Sequence, residues 1–272
     1  MKVTALVENT SRAGLPVEHG LSLHIRLDDG WQILFDMGQR RLFADNAERL
    51  GIDLADVDLA VISHGHYDHG GGLRTFLELN TQAKVYINRH AFEPHYSLHD
   101  DGLKYIGIDP ELKTHERLIS CADETRIAPN LILFSGVNAP CLNPTGNRLL
   151  FGPTKDMNDD FCHEQSLIIQ EGGKTVLFAG CAHSGIVNII QKGMHIAGQP
   201  FTHVFAGMHL VKSGLTEKEE TAFIHSLAEA LSAHTGCRYF TMHCTGTTPY
   251  EMLRKEMRDT IQYMGCGDSV EI

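Results

Sequence analysis

No apolar run in this 272-residue chain approaches the length of a membrane span. The start, Met1-Lys2-Val3-Thr4, lacks the pattern of a secretory leader. Together these absences make the cytoplasm the expected location. Basic patches are missing as well: with a formal net charge of −11, the chain is poorly suited to polyanions, because nucleic-acid binding relies on Lys/Arg contacts to phosphates. Low-complexity stretches and short-period repeats are absent too. The seven cysteines are scattered and odd in number, which fits reduced thiols better than a disulfide framework. The 42% hydrophobic and 21% charged content is that of an ordinary globular protein with a substantial core.

What the chain does have is histidine, seventeen residues in all, mostly dispersed but with three in one short run. Ser63-His64-Gly65-His66-Tyr67-Asp68-His69-Gly70-Gly71-Gly72 packs three imidazoles and a carboxylate into six residues, directly after the apolar run Leu59-Ala60-Val61-Ile62. Imidazole nitrogen and carboxylate oxygen are the ligand set of Zn²⁺ and related divalent cations. At the end of a buried strand, such a cluster points to a metal centre, which can make its surroundings positive while the surface stays acidic.

The pattern along the chain predicts strands and helices in alternation. Leu21 to Leu27 alternates apolar and polar, Asp28-Asp29-Gly30 is a hairpin turn, and Trp31 to Phe35 forms the returning strand. A helix is expected over Arg41 to Leu50, stopped by Gly51. In the second half, Leu167–Ile169 and Val176–Ala179 flank a Glu171-Gly172-Gly173-Lys174 turn, and further strands are expected at His203–Ala206 and Arg238–Met242. Ser184 is a candidate cap for a helix bearing Ile186, Val187, Ile189 and Ile190, whose first N–H groups could face an anion. Thr216 with Glu219, and Thr248 with Glu251, read as capping boxes for two more helices, the second with Pro249 at its first position. Two halves of this kind predict an α+β sandwich, two sheets face to face with helices outside. Residues 1–272 are read as one domain, with an irregular insertion or lid at about 90–153.

Candidate ligands recur where predicted strands end. His64, His66, Asp68 and His69 follow one strand, Asp36 ends another, and His163 immediately precedes a third. Cys181 and His243 end two more, while His183 and His209 lie on loops that follow strands. A site on the rim of a sandwich requires this placement.

His64-Gly65-His66-Tyr67-Asp68-His69 resembles the His-x-His-x-Asp-His motif of the metallo-β-lactamase superfamily. Asp36, His163, Cys181 and His243 resemble that family's first, third, fourth and fifth motifs, in order. The segments Glu18–Ser22, His163–Ser166, Gly180–Asn188, Gly207–Leu210 and His243–Gly246 are similar to one branch, named for 7,8-dihydropterin-6-methyl-4-(β-D-ribofuranosyl)aminobenzene-5′-phosphate synthase of methanopterin biosynthesis. The resemblance implies an αββα sandwich and one or two metal ions, zinc first, with iron or manganese as alternatives. It implies His64, His66 and His163 around one ion and Asp68, His69 and His243 around a second, with Asp36 orienting a ligand from behind. Cys181 stands where the family usually has a bridging aspartate, and thiolate is a good zinc ligand but a poor bridging carboxylate.

The resulting expectation is a metal-dependent hydrolase or transferase acting on a phosphorylated or pterin-like, anionic small molecule. Asp68, His183 and His209 are the candidate catalytic side chains. A water on such a cation ionises at about pH 7 instead of roughly 15.7, which supplies the nucleophile. Two other readings stand beside it. One is a di-iron redox protein, disfavoured because His66 stands where such members carry glutamate. The other is a binding protein that retains the metal without turnover. No membrane partner and no particular oligomeric state is implied.

Overall fold

The structure, a computed structural model, describes residues 1–211 and 213–272. The predicted alternation gives the hairpin of β2 (Ser22–Arg26) and β3 (Gln32–Phe35), closed at Gly30, whose φ of 98° is in the left-handed region that glycine favours. With β1 (Lys2–Val7), β4 (Leu59–Ile62), β5 (Lys84–Asn88), β8 (Leu118–Cys121) and β17 (Ser269–Glu271), they form a seven-stranded sheet in the order β17-β1-β2-β3-β4-β5-β8. A second seven-stranded sheet contains β9 (Glu124–Ala128), β10 (Leu131–Ser135), β12 (Gln165–Glu171), β13 (Lys174–Ala179), β14 (His203–Ala206), β15 (Arg238–Thr241) and β16 (Ile261–Tyr263). Its order is β16-β15-β14-β13-β12-β10-β9. Both sheets are mixed: pairing is parallel from β3 through β8 in the first and from β16 through β13 in the second, and antiparallel elsewhere.

The two faces of each strand serve two cores, because successive side chains point oppositely. Leu59 and Val61 of β4 face the other sheet, where Leu167, Ile169, Val176 and Phe178 meet them. Ala60 and Ile62 face outward, under α1 (Leu42–Arg49) and α3 (Leu73–Leu79), with Phe43 and Phe76. On the far side, Ile168 and Leu177 pack under α4 (Ile186–Ala197), α5 (Glu217–Ser232) and α6 (Thr247–Met257). Phe178, Phe205 and Phe240 stack between the sheets with centroids 5.0 and 4.6 Å apart. Full burial of such a side chain contributes about 1.5–3 kcal/mol. The architecture is the expected αββα sandwich.

Several local expectations change. The stretch 90–153, read as an irregular insertion or lid, is divided among the sheets: β8, β9 and β10 are members of the main two. Leu131–Phe134 does not alternate in sequence because both its faces are covered, Leu131 and Leu133 by one core and Ile132 and Phe134 by the other. What stands outside is a small sheet of β6 (Tyr96–His99), β7 (Gly102–Tyr105) and β11 (Leu150–Phe151). Thr216 and Glu219 form the expected capping box. Helix α4, by contrast, is preceded by Gly185, not capped by Ser184, and α6 follows Gly246 without a side-chain cap from Thr248. No helix among the described residues is long and apolar enough to cross a membrane.

Candidate metal centre

One end of the sandwich collects the strand termini of both sheets. β4 delivers Ser63 to His66, and α2 (Tyr67–Gly70) turns Asp68 and His69 back over the edge. A Cβ at Gly65 would lie 2.7 Å from His95 Nε2 and press on the Ala91 carbonyl oxygen, so only glycine fits between the two histidines. Five non-glycine residues in the left-handed region sit at this rim: Asp36 (φ 61°), Phe161 (55°), Ala182 (53°), His209 (46°) and His243 (52°). Each such conformation costs on the order of 1–3 kcal/mol and persists only where the surroundings enforce it.

Hydrogen bonds decide which imidazole nitrogens carry protons. Buried Asp36 accepts the Ser63 N–H and hydroxyl, each at 2.7 Å, and faces His69 Nδ1 at 2.7 Å. A carboxylate only accepts, so His69 donates through Nδ1 and its Nε2 bears a lone pair. The Ser63 proton is committed to Asp36, so the His64 Nδ1–H donates to Ser63 Oγ at 2.9 Å and His64 Nε2 is also a lone pair. By the same reasoning His243 donates Nδ1–H to Asn9 Oδ1 at 2.9 Å, and His183 to Asn147 Oδ1 at 3.0 Å. His19 differs: Asn9 Nδ2 donates to its Nδ1, which leaves the Nε2–H facing Asp68 Oδ2 at 3.2 Å.

These lone pairs converge. His69 Nε2 lies 3.2 Å from His243 Nε2 and 3.2 Å from Cys181 Sγ, and His243 Nε2 lies 3.3 Å from Asp68 Oδ2. Tetrahedral zinc with bonds of about 2.0–2.3 Å places its donors about 3.3–3.6 Å apart. Two imidazole lone pairs facing each other at this distance repel unless a proton or a cation stands between them, so the residues fit a divalent ion. Without one, a proton substitutes. Burial opposes charge on His69, but the Asp36 and Asp68 carboxylates outweigh it and push the imidazole up to about 9. Burial alone would raise Asp68, yet His69, His19 and His243 hold it well below the carboxylate range. Burial also drives the Cys181 thiol well up, so its use as a thiolate ligand requires the metal.

A model of the Metallo-beta-lactamase superfamily matches residues 16–189. The chain belongs to the metallo-beta-lactamase superfamily. A curated relative from Methanocaldococcus jannaschii, an uncharacterized protein, is 29% identical over 90% of both chains. A second from the same organism, the 7,8-dihydropterin-6-methyl-4-(beta-D-ribofuranosyl)-aminobenzene-5'-phosphate synthase, is 25% identical over 100% of this chain and 96% of its own. Among solved structures, a metal-dependent hydrolase of the beta-lactamase superfamily superposes with a TM-score of 0.81 at 28% identity, covering 100% of this chain and 99% of that one.

Within this superfamily member the rim is arranged as follows. His64, His66 and His183 offer donors within 4.8 Å of one another, as do His64, His69 and Cys181. His163 belongs to a neighbouring group, in which His66, His95, Asp159 and His163 offer donors within 4.8 Å of one another. Its Nδ1 accepts the Gly65 N–H at 2.9 Å, and its Nε2 lies 3.3 Å from Asp159 Oδ2. Asp159 also accepts from His95 Nδ1 at 2.8 Å. His209 stands against His183, ring centroids 4.4 Å apart, with Nδ1 unpartnered. In the loop just before α4, Glu164 accepts the N–H groups of His183 at 2.7 Å and Ser184 at 2.9 Å, so a buried carboxylate lies beside the expected anion site.

Sequence reasoning missed several supports: Glu8, which accepts the His243 N–H at 2.6 Å, Asn9, Asn147, Glu164, and the His95–Asp159 pair. None carries a spacing signal. Only the adjacency of Glu164 to His163, and of Glu8-Asn9 to the end of β1, could have drawn notice.

Proposed function

We propose that this chain is a metal-dependent hydrolase or transferase, zinc-dependent in one or two ions, acting on a small phosphorylated or pterin-like molecule. The facing lone pairs of His69 and His243, closed by Asp68 and Cys181, carry this reading. His64 and His66 present two more unpartnered, buried Nε2 atoms beside them for a further ion. A bound divalent cation supplies Lewis acidity toward a phosphoryl or carbonyl oxygen and lowers the pKa of water to about 7.

The chain's own residues do the rest. Asp68 stays ionised beside three imidazoles, and the His19 Nε2–H steadies the oxygen that would hold or accept a proton. His209 lines the cleft beside His183, where it can hydrogen-bond a substrate or pass a proton to a leaving group. The cleft over the site is open to solvent and suits a small molecule. Leu98, Ile106, Leu149, Leu150 and Val211 line the cleft together with the histidines, so an apolar or flat ring body can pack against the former while its polar end faces the rim. The synthase among the relatives, whose name specifies a dihydropterin and a phosphate, supports the same class.

The test is metal analysis of the purified protein, followed by a panel of phosphomonoesters, phosphodiesters and pterin diphosphates. Turnover that disappears with chelation and returns with Zn²⁺ is expected. Protein that binds no divalent ion would refute the reading. A loaded protein that retains one ligand without converting it would make the chain a binding protein.

A further inference from the structure

We infer that His183, and not His163, supplies the third imidazole to an ion held by His64 and His66. This rests on the reading of the rim as a metal centre and specifies its ligands. Three observations bear on it. First, the Nε2 atoms of His64, His66, His183 and His163 are all buried and unpartnered, but the donors of His64, His66 and His183 lie within one ion's reach of each other, whereas His163 is grouped with His66, His95 and Asp159.

Second, proton placement separates the two candidates. His183 is locked as a lone-pair donor, because Nδ1 donates to Asn147 Oδ1 at 3.0 Å while Asn147 Nδ2 donates to the His183 carbonyl at 2.8 Å. That double contact fixes both the ring and the amide orientation of Asn147. His163 is locked the other way. Its Nδ1 accepts the Gly65 N–H, which puts its proton on Nε2, facing Asp159 Oδ2 at 3.3 Å. To ligate through Nε2, His163 would have to move that proton to Nδ1 and give up the Gly65 N–H, a cost that His183 does not bear.

Third, the backbone that carries His183 is clamped. Glu164 accepts the N–H groups of both His183 and Ser184, and Ala182 is held in the left-handed region. His163 thereby becomes a positioning residue: it holds the peptide between His64 and His66 through the Gly65 N–H, backed by Asp159 and His95. A set of three neutral imidazoles suits a borderline divalent ion such as Zn²⁺, Co²⁺ or Fe²⁺.

The experiment is a Co²⁺ titration of metal-free full-length protein, following visible absorption and stoichiometry, with circular dichroism to confirm folding. His183→Ala is expected to weaken one equivalent by more than about 100-fold and to change its spectrum. Asn147→Ala should weaken it by about 10-fold, within the range for a residue that orients a ligand. His163→Gln should retain wild-type stoichiometry and spectrum. The inference is overturned if His183→Ala binds as the wild type does, or if folded His163→Gln loses the same equivalent. Wild-type protein that takes up no Co²⁺ would instead refute the metal-centre reading itself.

Discussion

Two groups of imidazoles share this rim and differ in what stands behind them. In His64, His66 and His183, burial first and neighbouring imidazoles next push all three well below the usual range. The nitrogens behind His64 and His183 meet a hydroxyl and an amide oxygen. In Asp68, His69 and His243, a carboxylate lies inside the group and Asp36 lies directly behind, so His69 rises to about 9. The first group therefore presents lone pairs at neutral pH without competition. In the second, a cation must displace a proton. Similar side chains on one sheet edge become different ligands through their second hydrogen bond.

The sharpest way to break this contrast is Asp36→Ala, because one carboxylate holds His69 directly and His64 through Ser63. The variant leaves the Ser63 N–H and the His69 Nδ1–H without acceptors in a fully buried site. A loss of about 3–5 kcal/mol is expected by denaturant unfolding, together with metal loss from both groups. Retention of either group's metal would show that Asp36 is not their common support.

The raised pKa of His69 has a definite sign in metal-free protein. Its stabilisation is complete below the unfolded-state value of about 6.5 and is lost as pH rises through about 9. Unfolding free energy should fall by about 3 kcal/mol over that window, and His69→Ala should flatten the profile. A flat wild-type profile would remove the proton from this account. Asn9→Ala, which frees the His243 Nδ1–H, should lower metal affinity at the Asp68 group by about 10–100-fold and leave the His64 group unchanged. The smallest effect is that of pH on loaded protein. Chelator competition should show affinity at the Asp68 group falling at least about tenfold per unit below pH 9, from the His69 proton, and about a further tenfold per unit if Cys181 binds as thiolate, with no matching slope at the His64 group near neutrality.

The sandwich was readable because hydrophobic periodicity reports burial, and β2, β3, β4, β12 and β13 stand where the pattern put them. Within 118–135, β10 escaped notice because a strand covered on both faces does not alternate, and β8 and β9 because they are short, partly exposed edge strands. The density of candidate ligands at 64–69 was equally plain, as was their placement at strand ends. Which nitrogen of which histidine bears a lone pair was not, since that depends on Asn9, Asn147 and Ser63, groups whose role exists only once distant strands meet. Motif order could set His163 among the candidate ligands but could not reveal that its Nδ1 accepts the Gly65 N–H.

Glu8 and Glu164 each spend a buried carboxylate on the backbone of a ligand loop, the first at His243, the second at His183 and Ser184. These loops are therefore ordered when the chain folds, not when an ion arrives. Little conformational entropy remains to be lost on loading, so capture should be rapid, and an emptied centre should keep its shape and refill without refolding.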